Sequence, residues 1–238
     1  MVVIDFDGTL SPIVDRPEEA SPADGAIEAL QALAEHTDVA VLSGRPLEEL
    51  LERLPAGELT FVGGHGAQIQ TPDGVRHHLV DPSSLAATLD AAETEITGLV
   101  DDGVGWLVER KLASLAIHHR LVPEDEEEAL LPRVHAVLDA HQQLPPGFEV
   151  LQGKAVLELR PREVNKGRAL AWLLERMPGR VPVVFGDDAT DEDAFLVAIE
   201  AGGQAVLVAT EDRPTAAGLR LSDPDEVVRT LRAWAERG

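Results

Sequence analysis

The chain has 238 residues, with 43 acidic against 20 basic side chains and a formal net charge of −23; that length suits one large domain or a domain carrying an insertion. So negative a surface repels nucleic acid and anionic membrane, so neither is expected as a partner, and any phosphate site must be made locally positive by a metal or by placed Lys and Arg. Cysteine is absent, which excludes disulfides and thiolate metal sites, and with neither an 18-residue apolar run nor a basic segment leading into one, a cytoplasmic protein without a signal peptide or membrane span is expected.

In chain order, VVI (2–4) reads as a buried strand that stops at Asp5, Phe6, Asp7, Gly8 and Thr9. A helix follows over 25–36, with Ile27, Leu30 and Leu33 on one stripe. VAVLSG (39–44) is a second strand, followed by a helix over 46–54 in which Pro46 suits the first turn. LTFVGG (59–64) is a third strand. The middle of the chain has a different pattern, with a helix over 81–100, strands with period two over 106–111 and 114–120, a helix over 124–144 that Pro132 kinks or restarts, and strands over 148–152 and 155–160. The alternation of apolar strands and helices then resumes, with a helix over 167–177, a strand over 181–186, a helix over 191–201, a strand over 205–209 and a final helix over 224–236.

Short apolar strands alternating with helices predict a parallel sheet covered on both faces, with its site at the carboxyl ends of the strands. The middle predicts an antiparallel sheet with two helices on one face. The expected fold is therefore α/β: a Rossmann-like parallel-sheet core from 1–80 and 161–238, and an inserted α+β domain of order αββαββ over 81–160. On the inserted strands, Ser114, Ala116, His118 and Arg120 oppose Leu115 and Ile117, while Val156, Glu158 and Arg160 oppose Leu157 and Leu159. A solvated sheet face and a ligand-reading face both account for this pattern.

The chemistry concentrates at four strand or helix ends. Asp5 and Asp7 put two carboxylates on one strand end, where they repel each other unless a cation lies between them or one is protonated. Mg²⁺ suits a few carboxylate oxygens completed by water and phosphate oxygens. Gly8 allows a tight turn and Thr9 adds a hydroxyl. The stretch VVFGDDATDEDAF ends a strand in Asp187 and Asp188, then Asp191. Thr190 as a cap, with acids in the first helical turn, explains Glu192 and Asp193 but not Asp187 and Asp188. Neighbouring strands would bring Asp5, Asp7 and Asp187 to one point, with Asp188 and Asp191 holding the cation or its waters. Ser43, Gly44 and Arg45 end another strand, and a hydroxyl with free N–H groups there suits a phosphate oxygen; an ordinary helix cap by Ser43 is the plain alternative. Lys166 precedes a helix, where the dipole disfavours it, and as a point charge it suits one phosphoryl oxygen. Together these groups fit phosphoryl transfer in which one carboxylate attacks phosphorus and the other protonates the leaving oxygen and later activates water.

DFDGTL, LSGR, NKG and GDDATDED resemble the four motifs of the haloacid dehalogenase superfamily of phosphatases. That resemblance implies Asp5 as nucleophile, Asp7 as general acid/base, Mg²⁺ as cofactor, and the insertion as a cap that contacts substrate. More narrowly, DFDGTLSP, SGRP, GGHGA, ERKLASLAIHHR, GKAVLELRP, NKG and GDDATDEDAF are similar to the trehalose-6-phosphate phosphatase family. This implies Mg²⁺-dependent hydrolysis of trehalose 6-phosphate, with the polar cap face binding sugar hydroxyls through Glu109, Lys111, Ser114, His118, Arg120 and Glu158; a monomer is expected. It also moves His65, in VGGHGAQI, from a structural histidine toward the site. Because the first motif begins within five residues of the start, neither a fused synthase domain nor a targeting arm is expected. Two alternatives stand beside this reading: a phosphatase for another sugar or compatible-solute phosphate, such as sucrose 6-phosphate or mannosyl-3-phosphoglycerate, and a non-catalytic sugar-phosphate sensor. The presence of Asp5, Asp7, Lys166 and Asp187 together weighs against a sensor.

Overall fold

The computed structural model describes all residues except Asp15, Glu58, Pro145, Pro146, Lys154 and Gly238, together with the side chains of Pro17 and Asp102. Lys154 of the GKAVLELRP segment thus lies outside the described residues. In chain order the elements are β1 (Val2–Asp5), α1 (Ala26–Ala34), β2 (Val39–Leu42), α2 (Leu47–Arg53), β3 (Thr60–Gly63), β4 (Gln68–Gln70), β5 (Arg76–His78) and α3 (Pro82–Thr97). There follow β6 (Leu107–Arg110), β7 (Leu115–His118), α4 (Glu124–Gln142), β8 (Phe148–Gly153), β9 (Val156–Pro161) and α5 (Lys166–Arg176). The chain ends with β10 (Val183–Gly186), α6 (Glu192–Glu200), β11 (Gln204–Val208), β12 (Leu219–Leu221) and α7 (Pro224–Ala235). It divides into two compact units, Met1–Leu79 with Asn165–Gly238, and Val80–Val164.

The first unit is built on an eight-stranded sheet of order β12-β11-β10-β1-β2-β3-β4-β5. From β12 to β3 all pairs are parallel, and β4 and β5 add an antiparallel edge. The central strands are apolar throughout because helices cover both faces. Ile4, Val41 and Phe185 point into a core shared with Leu30, Leu33 and Leu231 of α1 and α7. Val3, Leu42 and Val184 point the other way, against Leu170 and Leu173 of α5 and Phe195 of α6. Each large apolar side chain fully buried this way contributes roughly 1.5–3 kcal/mol. Pro46 stands just outside α2, at its N-cap with an extended ψ of 143°, rather than in its first turn. The three-residue strands β4, β5 and β12 lie outside the elements read from the sequence.

The second unit is a four-stranded antiparallel sheet, β6-β7-β9-β8, with α3 packed on β6 and β7 and α4 on β8. Arg110 registers against Leu115, and its ion pairs with Asp90 and Glu93 of α3 mark the helix-covered face. Glu109, Ala116 and Glu158 register across three strands on the opposite face. α4 runs as one helix from Glu124 to Gln142 through Pro132. Among the described residues, no helix is long and apolar enough to cross a membrane.

Candidate active site

Because β10, β1 and β2 are adjacent and parallel, their carboxyl ends lie side by side on one edge of the sheet. Asp5 is the last residue of β1 and is buried. Asn165 caps α5 by accepting from the Arg168 N–H, which places Lys166 in the first turn, only 3% exposed. The Lys166 Nζ lies 2.8 Å from Asp5 Oδ1 and 2.7 Å from Asp191 Oδ1. These two carboxylates stabilise a cation that the helix dipole and burial both oppose.

After β10 the chain turns sharply. Asp191 Oδ2 accepts the N–H groups of Asp187 at 3.0 Å and Asp188 at 3.1 Å, and Asp188 Oδ1 accepts from the Thr190 N–H and hydroxyl. Gly8, at φ 79°, lies so close to the Asp187 carboxylate that a Cβ would strike it, and a Cβ at Gly186 would strike Asp191. This close approach brings one carboxylate oxygen each of Asp5, Asp187 and Asp191 within 4.8 Å of one another.

Three acids then share one lysine. Burial pushes the Asp5 carboxyl well above its usual range; Lys166 opposes this, while Asp191 and Asp187 add to it. Burial, reinforced by Asp191 and Asp188, pushes Asp187 up to about 7. Asp191 is raised by burial against the pull of Lys166. For Lys166 burial works downward, but Asp191 and Asp5 prevail and hold it protonated. Burial would also raise Asp188, yet Lys166 and the Thr190 hydrogen bonds bring it below the usual range. The Asp187 Oδ1 atom is buried without a hydrogen-bond partner among the described residues. An unpartnered carboxylate oxygen, hard oxygen donors and a surplus of negative charge fit a divalent cation such as Mg²⁺, held by Asp5, Asp187 and Asp191.

Asp7 stands apart from this triad. It lies beyond the end of β1, in a turn bridged to Ser11. Arg45 grips both its oxygens, Nε to Oδ2 at 2.8 Å and Nη2 to Oδ1 at 2.7 Å. Arg45 Nη1 binds Glu49 at 2.8 Å, and the guanidinium lies over the Phe6 ring. Ser43 is buried; its hydroxyl accepts the Arg45 N–H at 3.1 Å, and its carbonyl accepts the His65 N–H at 2.9 Å. It does not cap α2. His65 adopts a left-handed backbone, φ 56°, and its ring stands against Gly44, where a Cβ would collide with it. Thr9 is fully buried, with its hydroxyl unbonded among the described residues.

Arg213 belongs to no motif, yet it joins the site. It lies between β11 and β12 and donates to the carbonyls of Asp187 and Asp188. Only its position after the strand next to β10 hinted at this.

On the polar face of the second unit, Ser114 Oγ donates to Glu158 Oε1 at 2.5 Å, and Lys111 Nζ reaches both Glu158 oxygens at 3.4 Å. His118 Nε2 meets Glu109 Oε2 at 3.0 Å, and that hydrogen bond lowers the Glu109 carboxyl. Arg120 is exposed in the turn after β7, beyond the strand that the sequence suggested would carry it. Arg160 pairs with Glu149 across β8 and β9.

Comparison with known proteins agrees with this geometry. Residues 3–225 match the family described as trehalose-phosphatase. A trehalose-phosphate phosphatase from Mycobacterium marinum is 37% identical over 235 residues, covering 95% of this chain and 59% of that protein. An uncharacterized glycosyl hydrolase from Mycobacterium tuberculosis is 38% identical over 98% of this chain, which spans only 18% of its length. The crystal structure of a trehalose-6-phosphate phosphatase related protein superposes with a TM-score of 0.81 at 27% identity, covering all of this chain and 98% of that one. A haloacid dehalogenase-like hydrolase from Bacteroides thetaiotaomicron, 17% identical with a TM-score of 0.69 over 98% of both chains, shares the fold. An acidic triad and buried lysine on the edge of a doubly covered parallel sheet, and a family match running through both units, lead to one conclusion: the chain belongs to the trehalose-phosphatase family, with the haloacid dehalogenase fold.

Proposed function

We propose that this chain hydrolyses a sugar phosphate monoester, trehalose 6-phosphate above others, to the free sugar and phosphate. The observation that carries the reading is Asp5, buried at the end of β1 between Lys166 and the carboxylates of Asp187 and Asp191. Asp5 attacks phosphorus; a bond forms from its carboxylate oxygen to phosphorus as the bond to the sugar oxygen breaks. Asp7 gives a proton to that departing oxygen. Water then attacks the aspartyl phosphate, Asp7 takes a proton from it, and phosphate leaves with Asp5 restored. Lys166 supplies fixed positive charge beside the nucleophile, and Arg45 sets the orientation of Asp7 through two hydrogen bonds. A bound Mg²⁺ would add charge stabilisation for the phosphoryl oxygens. The polar face carrying Glu109, Lys111, Ser114, His118, Arg120 and Glu158 reads the sugar, since hydroxyls both donate and accept. Ser43, Gly44 and His65 line the neighbouring strand ends as phosphate-side contacts.

The test is phosphate release with Mg²⁺ from trehalose 6-phosphate, sucrose 6-phosphate, mannosyl-3-phosphoglycerate, glucose 6-phosphate and an aryl phosphate. A kcat/KM for trehalose 6-phosphate about a hundredfold above the rest, worth roughly 2.7 kcal/mol of transition-state discrimination, is expected. Slow and equal turnover of all five would discard the substrate while keeping the chemistry.

A further inference from the structure

We propose that Arg213, seated on Glu192, is a positioning residue that sets this chain's affinity for its divalent cation; this rests on the reading of Asp5, Asp187 and Asp191 as cation ligands. The Asp187–Asp188 turn is tied from two sides. Its N–H groups are bound by Asp191 Oδ2. Its carbonyls accept from Arg213, Asp187 O from Nε at 3.2 Å and Asp188 O from Nη2 at 2.7 Å. The third nitrogen of the guanidinium, Nη1, binds Glu192 Oε1 at 2.6 Å and the Pro214 carbonyl at 3.0 Å. Glu192 Oε2 in turn accepts the Ala216 N–H at 2.8 Å, which anchors the loop that delivers Arg213.

Glu192 follows Asp191 directly and opens α6, so the clasp fixes both ends of the segment carrying Asp187 and Asp191. Arg213 and Glu192 are 25% and 24% exposed, which separates them from fully solvated surface pairs of little consequence. Mg²⁺ demands near-ideal octahedral placement of its oxygens. Groups that orient metal ligands typically change affinity ten- to a hundredfold when removed.

The sign of the effect distinguishes positioning from charge. Loss of a nearby positive charge would by itself tighten cation binding. Loss of the clasp frees the turn and weakens it. The experiment is titration of the metal-free full chain with Mn²⁺, an oxygen-seeking octahedral stand-in, following the free Mn²⁺ signal by electron paramagnetic resonance. Arg213→Ala and Arg213→Lys should raise the dissociation constant roughly ten- to a hundredfold. Glu192→Gln, in which the lost negative charge and the lost clasp act in the same direction, should raise it as well, and the metal-free melting temperature of each variant should stay within a few degrees. Unchanged or tighter Mn²⁺ binding in a folded Arg213→Ala chain overturns the proposal. Should that variant not fold, Arg213→Lys, which keeps the charge and loses the fork, carries the same test. A wild-type chain that takes up no Mn²⁺ overturns both this proposal and the cation site. One that binds Mn²⁺ yet releases no phosphate overturns the proposed reaction alone.

Discussion

Arg45 and Asp7 meet through two parallel hydrogen bonds, and the third arm of Arg45 is held by Glu49. The sequence suggested a phosphate ligand at Arg45; the structure places it on the proposed acid. The consequence is selective. An alcohol leaves a phosphate ester poorly without a proton, whereas a nitrophenolate leaves without help, so damage to Asp7 placement should be felt unequally. Arg45→Ala is expected to lower kcat/KM for a sugar phosphate roughly a hundredfold and for nitrophenyl phosphate less than tenfold. Equal losses would return Arg45 to phosphate binding. Asp187 gives a second residue-scale test. Its folded carboxyl sits near 7 against a usual 3.8, so the folded chain holds a proton that the unfolded chain releases between those values. Metal-free stability should therefore fall as pH rises from about 4 to 7 and level off above it. Asp187→Asn should remove much of that fall and raise stability at pH 8 by on the order of 1–3 kcal/mol, read from thermal melts without metal. A melt with the wild-type pH dependence would show that Asp187 is ionised throughout. Asp5, Asp187, Asp191 and Lys166 were legible as acids and a lysine at element ends. The separation of Asp7 was not, because β1 stops at Asp5 and the two-residue alternation does not extend into the turn.

Most elements could be read because burial imposes a period. The strands around β1 are apolar throughout, being covered twice, while β9 of the second unit sets Leu157 and Leu159 against Glu158 and Arg160 in residue type. What escaped was short and polar. β4 reads QIQ, β5 reads RHH and β12 reads LRL, each three residues at or near a sheet edge, where hydrogen bonding to a neighbour rather than burial defines the strand. Arg213 escaped for a related reason: it recognises backbone carbonyls, and a backbone contact leaves no residue pattern. α4 shows the opposite conflict, a strong local breaker overridden by its surroundings. Pro132 is exposed in the middle of a helix whose inner face buries Val134 and Leu138. It removes one helical hydrogen bond without filling space in the core. Pro132→Ala should stabilise the second unit by about 1–3 kcal/mol, measured by urea denaturation; an unchanged midpoint would mean the helix has already adjusted around the ring.

At the scale of the whole chain, the charge of −23 acts against the proposed anionic substrate at every distance beyond the immediate site. Salt screens that repulsion, with a Debye length near 10 Å at 0.1 M. Raising ionic strength from about 0.02 M to about 0.2 M at fixed Mg²⁺ should therefore raise kcat/KM roughly two- to fivefold, reversing the dependence expected of an enzyme that steers its substrate electrostatically. A falling kcat/KM would place the controlling field in the local cluster of Lys166 and Arg45. The order of the large sheet has a consequence for biosynthesis. β1 is made before the other strands of this sheet, yet it pairs on one side with β2 and on the other with a strand that begins only at Val183. While the insertion is being made, the emerging chain presents one bare edge of a strand that is buried along its whole length in the finished sheet. The proposed nucleophile on that strand meets Lys166 and Asp191 only once α5 and the turn before α6 have left the ribosome, so within this sheet the acidic triad should be collected late, after the whole insertion has been made.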